Sequence, residues 1–362
     1  ITSNGVVVFG LTVIGLVFAL GRLFDAVTDP LIAGMSDRSH SKIGKRRSFL
    51  LFSAAPFALF SALVFFPPSA GISTVNTVWL FATVFLFYWF MTMYVTPFFA
   101  LLSELGHTPN ERLQLSTLIS ITWALGTMVG SQIESFQGML VKVASMSPVV
   151  AFQMVVSAFA VLGFIFMMLP VLFIDEKRYC RVNASEGSIW QSLKSVFKNR
   201  NFVFFTLSDL AYWVAITIIN SVMVYYVVVL LKLDAGFKGL LVMIMFLLSF
   251  VFYVPVNLIA KKAGKKRMLI AAFAAFTLVF AYASGLGSYS WSPQAQGFLL
   301  VVLAAVPLAI FSIVQNAIVA DIAEADGLAT GNFKAGIFFG ARTFMSKLGQ
   351  TVAGFLIPSL LI

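Results

Sequence analysis

The chain has 362 residues, 60% of them hydrophobic and only 10% charged, with a mean hydropathy of +0.97. A soluble domain carries about 25% charged residues, so water is excluded as the solvent for most of this surface. The formal charge of +10 does not mark a nucleic-acid binder, because Lys and Arg cluster in short loops between apolar runs, as membrane topology requires. The runs approach the ~20 residues needed to cross a ~30 Å hydrocarbon core. They are continuous rather than alternating, which selects an all-α membrane protein over a β-barrel.

Hydropathy places about ten spans in chain order, at 6–35, 49–66, 77–103, 116–137, 149–173, 202–231, 237–260, 268–287, 296–320 and 335–362. Arg38, Lys42, Lys45, Arg46 and Arg47 follow the first span; Lys177, Arg178, Arg181, Lys194, Lys198 and Arg200 follow the fifth; Lys261, Lys262, Lys265, Lys266 and Arg267 follow the seventh. Loops 67–76 and 288–294 carry no charge. The positive-inside rule then puts the basic loops in the cytoplasm, with the chain in a bacterial inner membrane. The chain starts at Ile1 rather than Met, so its natural start is expected upstream.

Segment 174–201 separates an N-terminal helical half, 1–173, from a C-terminal one, 202–362. Within it, Ile189 to Phe202 reads as a helix whose Trp190, Leu193 and Phe197 lie on the membrane surface. The sole cysteine, Cys180, falls in this linker, makes no internal disulfide and has no metal motif around it. Asn183-Ala184-Ser185 matches a glycosylation acceptor, but on the side assigned to the cytoplasm.

The halves read as repeats. SDRSHSKIGKRR follows the first span of one half and AKKAGKKR the second span of the other. The acidic stretches SELGHTPNER and ADIAEADGLATGN show the same offset. Register requires that the first half lack its opening span and the second its closing span, giving six per half in the intact protein. That resembles the major facilitator fold, with two six-helix halves related by an axis along the membrane normal. Gly34-Met35-Ser36-Asp37-Arg38 with Gly44-Lys45-Arg46-Arg47 also resembles that superfamily's signature loop. A channel with a hidden repeat is a weaker alternative, since no filter-like loop is present.

Ionisable groups inside spans are costly and mark functional sites. Arg22, Asp25 and Asp29 lie in the first span. The two acids are four apart and share one helix face, with Thr28 adding a hydroxyl. Asp25 lies about 16 Å from the loop, near mid-membrane, and Pro30 tends to free a backbone carbonyl. Two carboxylates a turn apart require a proton or a cation between them, and oxygen ligands suit a hard ion such as Na⁺. A structural ion pair with Arg22 or Lys347 is the alternative.

The segment GRLFDAVTDPLIAG from Gly21 to Gly34, with MTMYVTPFF from Met91 to Phe99, resembles the melibiose-permease-like glycoside–pentoside–hexuronide:cation symporter family. The resemblance implies that Asp25 and Asp29 carry Na⁺, Li⁺ or H⁺, with Thr28 and Thr92 completing the cation site. If the coupling ion is Na⁺, Asp25 and Asp29 are the residues that hold it; no cofactor is expected beyond the coupling ion, Na⁺ or H⁺. It also implies a functional lysine at Lys347, about 20 Å deep, joining the cation and substrate sites. The family's third carboxylate is Val95 here, its sugar-stacking tryptophan aligns with Phe99, and an arginine aligns with Ser120. The sugar contacts are therefore altered, and the candidate substrate residues are Arg22, Phe99, Ser120, Trp123, Asn220, Thr343 and Lys347. A related branch, the sodium-coupled lysolipid symporters, shares the acids and the lysine and tolerates an apolar cavity.

Asp209, Gln315 and Asn316 either line the cavity or hold helices together. Tyr88, Trp89 and Tyr94 serve packing or ligand contact. Asp321, Glu324 and Asp326 are placed to bridge to Arg46, Arg47 or Lys266. No enzyme is expected: His40 and His107 are in loops, and no nucleophile, base or metal set lies in the spans. The expected function is a monomeric, cation-coupled symporter of a sugar or glycoside working by alternating access. A sodium-coupled carrier of lysolipids or other amphiphiles is the alternative.

Overall fold

The computed structural model describes residues 13–69, 71, 73–130, 132–180, 189–233 and 237–360. Asn183, Ala184, Ser185 and the start of the expected first span lie outside these residues. The described residues form helices and no strand. In order these are α1 (Val13–Asp37), α2 (Lys45–Leu63), α3 (Thr74–Leu105), α4 (Pro109–Gly130), α5 (Ile133–Val143), α6 (Pro148–Phe173), α7 (Glu176–Tyr179), α8 (Ile189–Val196), α9 (Arg200–Tyr225) with a π-helical turn at Tyr226–Leu230, α10 (Phe237–Ala263), α11 (Lys265–Ala283), α12 (Pro293–Thr330) and α13 (Ala335–Leu360). Among the described residues, seven helical stretches are long and apolar enough to cross a membrane. α1 is more polar because it carries Arg22, Asp25 and Asp29.

The run at 116–137 lies inside one candidate span, Pro109–Val143, within which α4 reaches Gly130 and α5 starts at Ile133, residue 131 lying outside the described residues. Two expectations change. The acidic stretch after 320 is not a loop. Its Ala, Glu and Leu residues are strong helix formers, so α12 continues to Thr330 and ends against Gly331 at φ 72, the left-handed position that glycine takes at helix ends. The linker helix is shorter than expected, ending at Val196, with a turn at 197–199 before α9.

The repeat is visible in local structure. Gly44 and Gly264 stand at the starts of α2 and α11 with φ 120 and 87, each followed by a basic run. Positive φ explains the glycine in both, since a Cβ would be strained there.

Packing divides the chain into two units. One comprises 1–105, 129–200 and 323–344; the other comprises 106–128, 201–322 and 345–362. Neither coincides with a split at 174–201. In the first, Leu50, Ala54, Tyr94, Leu101 and Val171 of α2, α3 and α6, with Cys180 at the end of α7, form an apolar core. In the second, α9 to α12 pack around Phe311, which stacks on Tyr212 at 4.2 Å between ring centres.

Candidate functional site

Asp25 is 0% exposed and Asp29 2%. The Thr92 hydroxyl of α3 donates to Asp25 Oδ1 at 2.6 Å. Thr28 is buried beside them, but its hydroxyl donates to the Asp25 carbonyl oxygen at 3.0 Å. Its proton therefore closes on its own helix, leaving the oxygen's lone pairs as what it can offer a cation. Pro30 follows within the same helix and removes the donor for the carbonyl at 26. Val95 packs into the apolar core of α2, α3 and α6.

The far side of this face is closed by α13. A methyl built on Gly340 would lie 3.0 Å from the Asp29 carbonyl oxygen and 2.8 Å from Ala33 Cβ. One built on Gly336 would lie 2.8 Å from both Asp37 Oδ1 and Arg46 Nη1. Glycines four apart let two helix backbones touch, and here the touching backbone belongs to Asp29. Phe339 stacks on Phe99 with ring centres 6.3 Å apart. The G-x-x-x-G spacing from Gly336 to Gly340 was available as a sequence signal for this contact.

A second buried cluster sits at the basic end of α1. Asp37 accepts from Arg46 and from the backbone N–H groups of Gly336 at 3.0 Å and Ile337 at 2.9 Å. A carboxylate thus caps the first turn of α13 from another helix, where the N–H groups and the helix dipole favour an anion. Arg46 also donates to Glu104 at 2.9 Å and to the Ser36 hydroxyl, and Lys45 reaches Glu104 at 2.9 Å. Glu176 of α7 accepts from the N–H groups of Arg46 and Arg47 and so caps α2. Nothing in local spacing links Glu104 or Glu176 to this cluster, because their partners are far along the chain.

The Glu176 cap gives a direct readout through Cys180, which is buried four residues on and donates its N–H to the Glu176 carbonyl oxygen at 2.9 Å. Burial, then Glu104 and Glu176, push this thiol up to about 12. The thiolate is the nucleophile, so the native thiol stays neutral and slow toward maleimide from pH 7 to 9. Glu176→Gln loosens α7, and the freed thiol titrates near 8.5. Labelling of this variant is expected to rise through pH 8–9 while the parent stays flat. A flat variant profile would count against the cap.

The acids near the basic end pair differently from the expectation. Asp321 takes Arg112 at 2.6 Å and also Lys265. Asp326 takes Lys334 at 3.1 Å and accepts from Asn199 at 3.0 Å. Arg46 goes to Asp37 and Glu104. Burial and proximity decide these pairs, and loop charge alone does not specify them.

The substrate candidates fall in both units. The Arg22 side chain lies outside the described residues. Phe99 and Thr343 belong to the first unit; Ser120, Trp123, Asn220 and Lys347 belong to the second. Ser120 donates to the Ser312 carbonyl oxygen of α12 at 2.7 Å, a helix-to-helix bond. Asn220 donates to the Ile216 carbonyl oxygen and Thr343 to that of Phe339. Trp123 is exposed. Tyr94 donates to the Met167 carbonyl oxygen at 2.7 Å, a packing role.

A family model described as MFS/sugar transport protein matches residues 4–361. The chain is 28% identical over 223 residues to the isoprimeverose transporter of Lactiplantibacillus pentosus, covering 60% of this chain and 46% of that protein. It is 25% identical over 353 residues to a putative sulfoquinovose importer of Escherichia coli, covering 94% of this chain and 72% of that protein. In structure it matches the major facilitator transporter FucP in its outward conformation, with TM-score 0.59 and 19% identity, over 95% of this chain and 91% of that one. The chain spans about half the length of the isoprimeverose transporter it matches. The helical spans, the glycine-led basic repeats and the match of the family model over residues 4–361 agree: this chain belongs to the glycoside–pentoside–hexuronide:cation symporter family of the major facilitator superfamily.

Proposed function

We propose that the chain is a cation-coupled symporter that imports a sugar or glycoside by alternating access, with Na⁺ or H⁺ carried at Asp25 and Asp29 and the basic loops in the cytoplasm. One observation carries this reading: two carboxylates a turn apart are buried together, one of them held by a threonine hydroxyl from a second helix. Two buried anions at that spacing repel strongly in low dielectric, and a bound proton or Na⁺ relieves the repulsion. Loading the cation then changes the energetics of the α1 face that touches α13, so cation and substrate affinity become linked. The isoprimeverose and sulfoquinovose named for the relatives support a sugar over a lysolipid. Trp123, with its exposed ring, is the stacking candidate, and Lys347 is a candidate charge for the substrate.

Asp29→Asn is expected to abolish gradient-driven accumulation in proteoliposomes while leaving the protein folded. Thr92→Val removes a hydrogen bond to a charged group, worth about 1.5–3 kcal/mol, and so raises the half-saturating Na⁺ or H⁺ concentration roughly 10- to 150-fold. Uptake of a radiolabelled sugar against imposed Na⁺ and pH gradients reads both. Coupled uptake that survives both Asp25→Asn and Asp29→Asn would remove the cation assignment.

A further inference from the structure

The linker helix α8 has two unlike faces. Its inner face is tied to the first unit: Ser192 accepts from Arg38, Ser195 accepts from Lys334 at 2.9 Å, and Val196 is fully buried. Its outer face is a shallow groove lined by Trp190, Leu193, Lys194, Phe197 and Lys198. These five fall at helical i, i+3, i+4, i+7 and i+8 positions, one stripe of a helix and its continuation. Trp190 is 69% exposed and Phe197 39%. Lys194 and Lys198 make no ion pair among the described residues. Only the turn at 197–199 separates α8 from the spanning helix α9, which begins at Arg200. In sequence, α8 therefore ends within a few residues of a helix long and apolar enough to span a bilayer.

We propose that this outer face is seated on the anionic phospholipid surface at the basic end of the molecule, with Trp190, Leu193 and Phe197 entering the headgroup–acyl boundary and Lys194 and Lys198 meeting lipid phosphates. The chemistry is complementary. Aromatic and aliphatic side chains prefer the interface, and lysines beside them are drawn to negative headgroups. Near an anionic surface each lysine shifts an equilibrium about fivefold, so the pair shifts seating roughly 25-fold. The inner face holds Arg38 and Lys334, which flank the Asp37 cap of α13. A seated α8 therefore braces that junction against the bilayer.

The test uses the whole chain in nanodiscs of phosphatidylcholine, with or without phosphatidylglycerol, and brominated acyl chains as the quencher. The spectrum of Trp190→Phe is subtracted to isolate Trp190 from the other tryptophans. Trp190 is expected to be quenched by brominated lipid, more strongly with phosphatidylglycerol. That lipid dependence is expected to vanish in Lys194→Gln/Lys198→Gln and to persist in Lys194→Arg/Lys198→Arg. Quenching of Trp190 by aqueous iodide but not by brominated lipid would overturn the seating. Brominated-lipid quenching indifferent to lipid charge and to both variants would overturn the anionic partner. Neither readout depends on transport, so the proposal stands or falls apart from the symport reading.

Discussion

Asp37→Ala should speed maleimide labelling of a cysteine placed at Ser36, in a Cys180→Ser background, by about two orders of magnitude or more. Ser36 and Asp37 are fully buried. Asp37 answers three donors at once: the Arg46 guanidinium and the N–H groups of Gly336 and Ile337. Its removal leaves Arg46 buried with Glu104 as its remaining acid and leaves the start of α13 without its cap. Breaking a buried pair by removing one partner costs about 3–5 kcal/mol, and every ~1.4 kcal/mol is tenfold in an opening equilibrium. Asp37→Asn keeps an acceptor for one N–H but loses the charge, so its labelling rate should fall between the parent and alanine. If the junction opens and closes during transport as proposed, sugar uptake should fall in the same order. Equal labelling rates for the three proteins would show that the α1–α13 junction does not depend on this carboxylate.

Gly340→Leu should cost most of the transport activity without touching a charged group. Even a methyl at this position would meet the Asp29 carbonyl oxygen at 3.0 Å and Ala33 Cβ at 2.8 Å. One is a backbone oxygen and the other a methyl fixed directly to the backbone, so neither can swing aside as a flexible side chain would. Overpacking of a tight contact costs typically about 1–3 kcal/mol, and leucine demands more space than that figure assumes. The expected result is a drop in melting temperature and at least a tenfold loss of uptake, with Gly340→Ala intermediate. Gly126→Ala is the control, because a methyl there meets nothing within 4 Å. A Gly340→Leu protein as stable and active as Gly126→Ala would mean that α13 does not rest on the Asp29 backbone.

Much of the architecture was legible before any coordinates. Long apolar runs report helices because a backbone in hydrocarbon must satisfy itself locally, and ten of the long helices follow the ten runs. Internal charge was equally legible: Asp25 and Asp29 stand out because apolar surroundings make an acid expensive, and both proved buried, with Thr92 on Asp25. Boundaries were less legible where propensity and polarity disagree. The stretch from Asp321 to Thr330 is acidic, which suggested a loop, but its alanines and leucine favour helix and α12 runs through it. Thr28 shows a finer limit. Its type and spacing were right for the acid face, yet a hydroxyl three residues on can turn back to a backbone carbonyl, and this one does.

The sequence by itself determined the solvent, the repeat and the acid pair, because each follows from periodicity or from the cost of a single residue in lipid. Only the tertiary structure decided which distant groups complete the charges: Glu104 and Asp37 on Arg46, Glu176 on the start of α2, and the backbone of Asp29 against Gly340. Those partners are set by which helices pack side by side. Packing of apolar helices depends on shape over whole faces, a property that no short window of sequence contains.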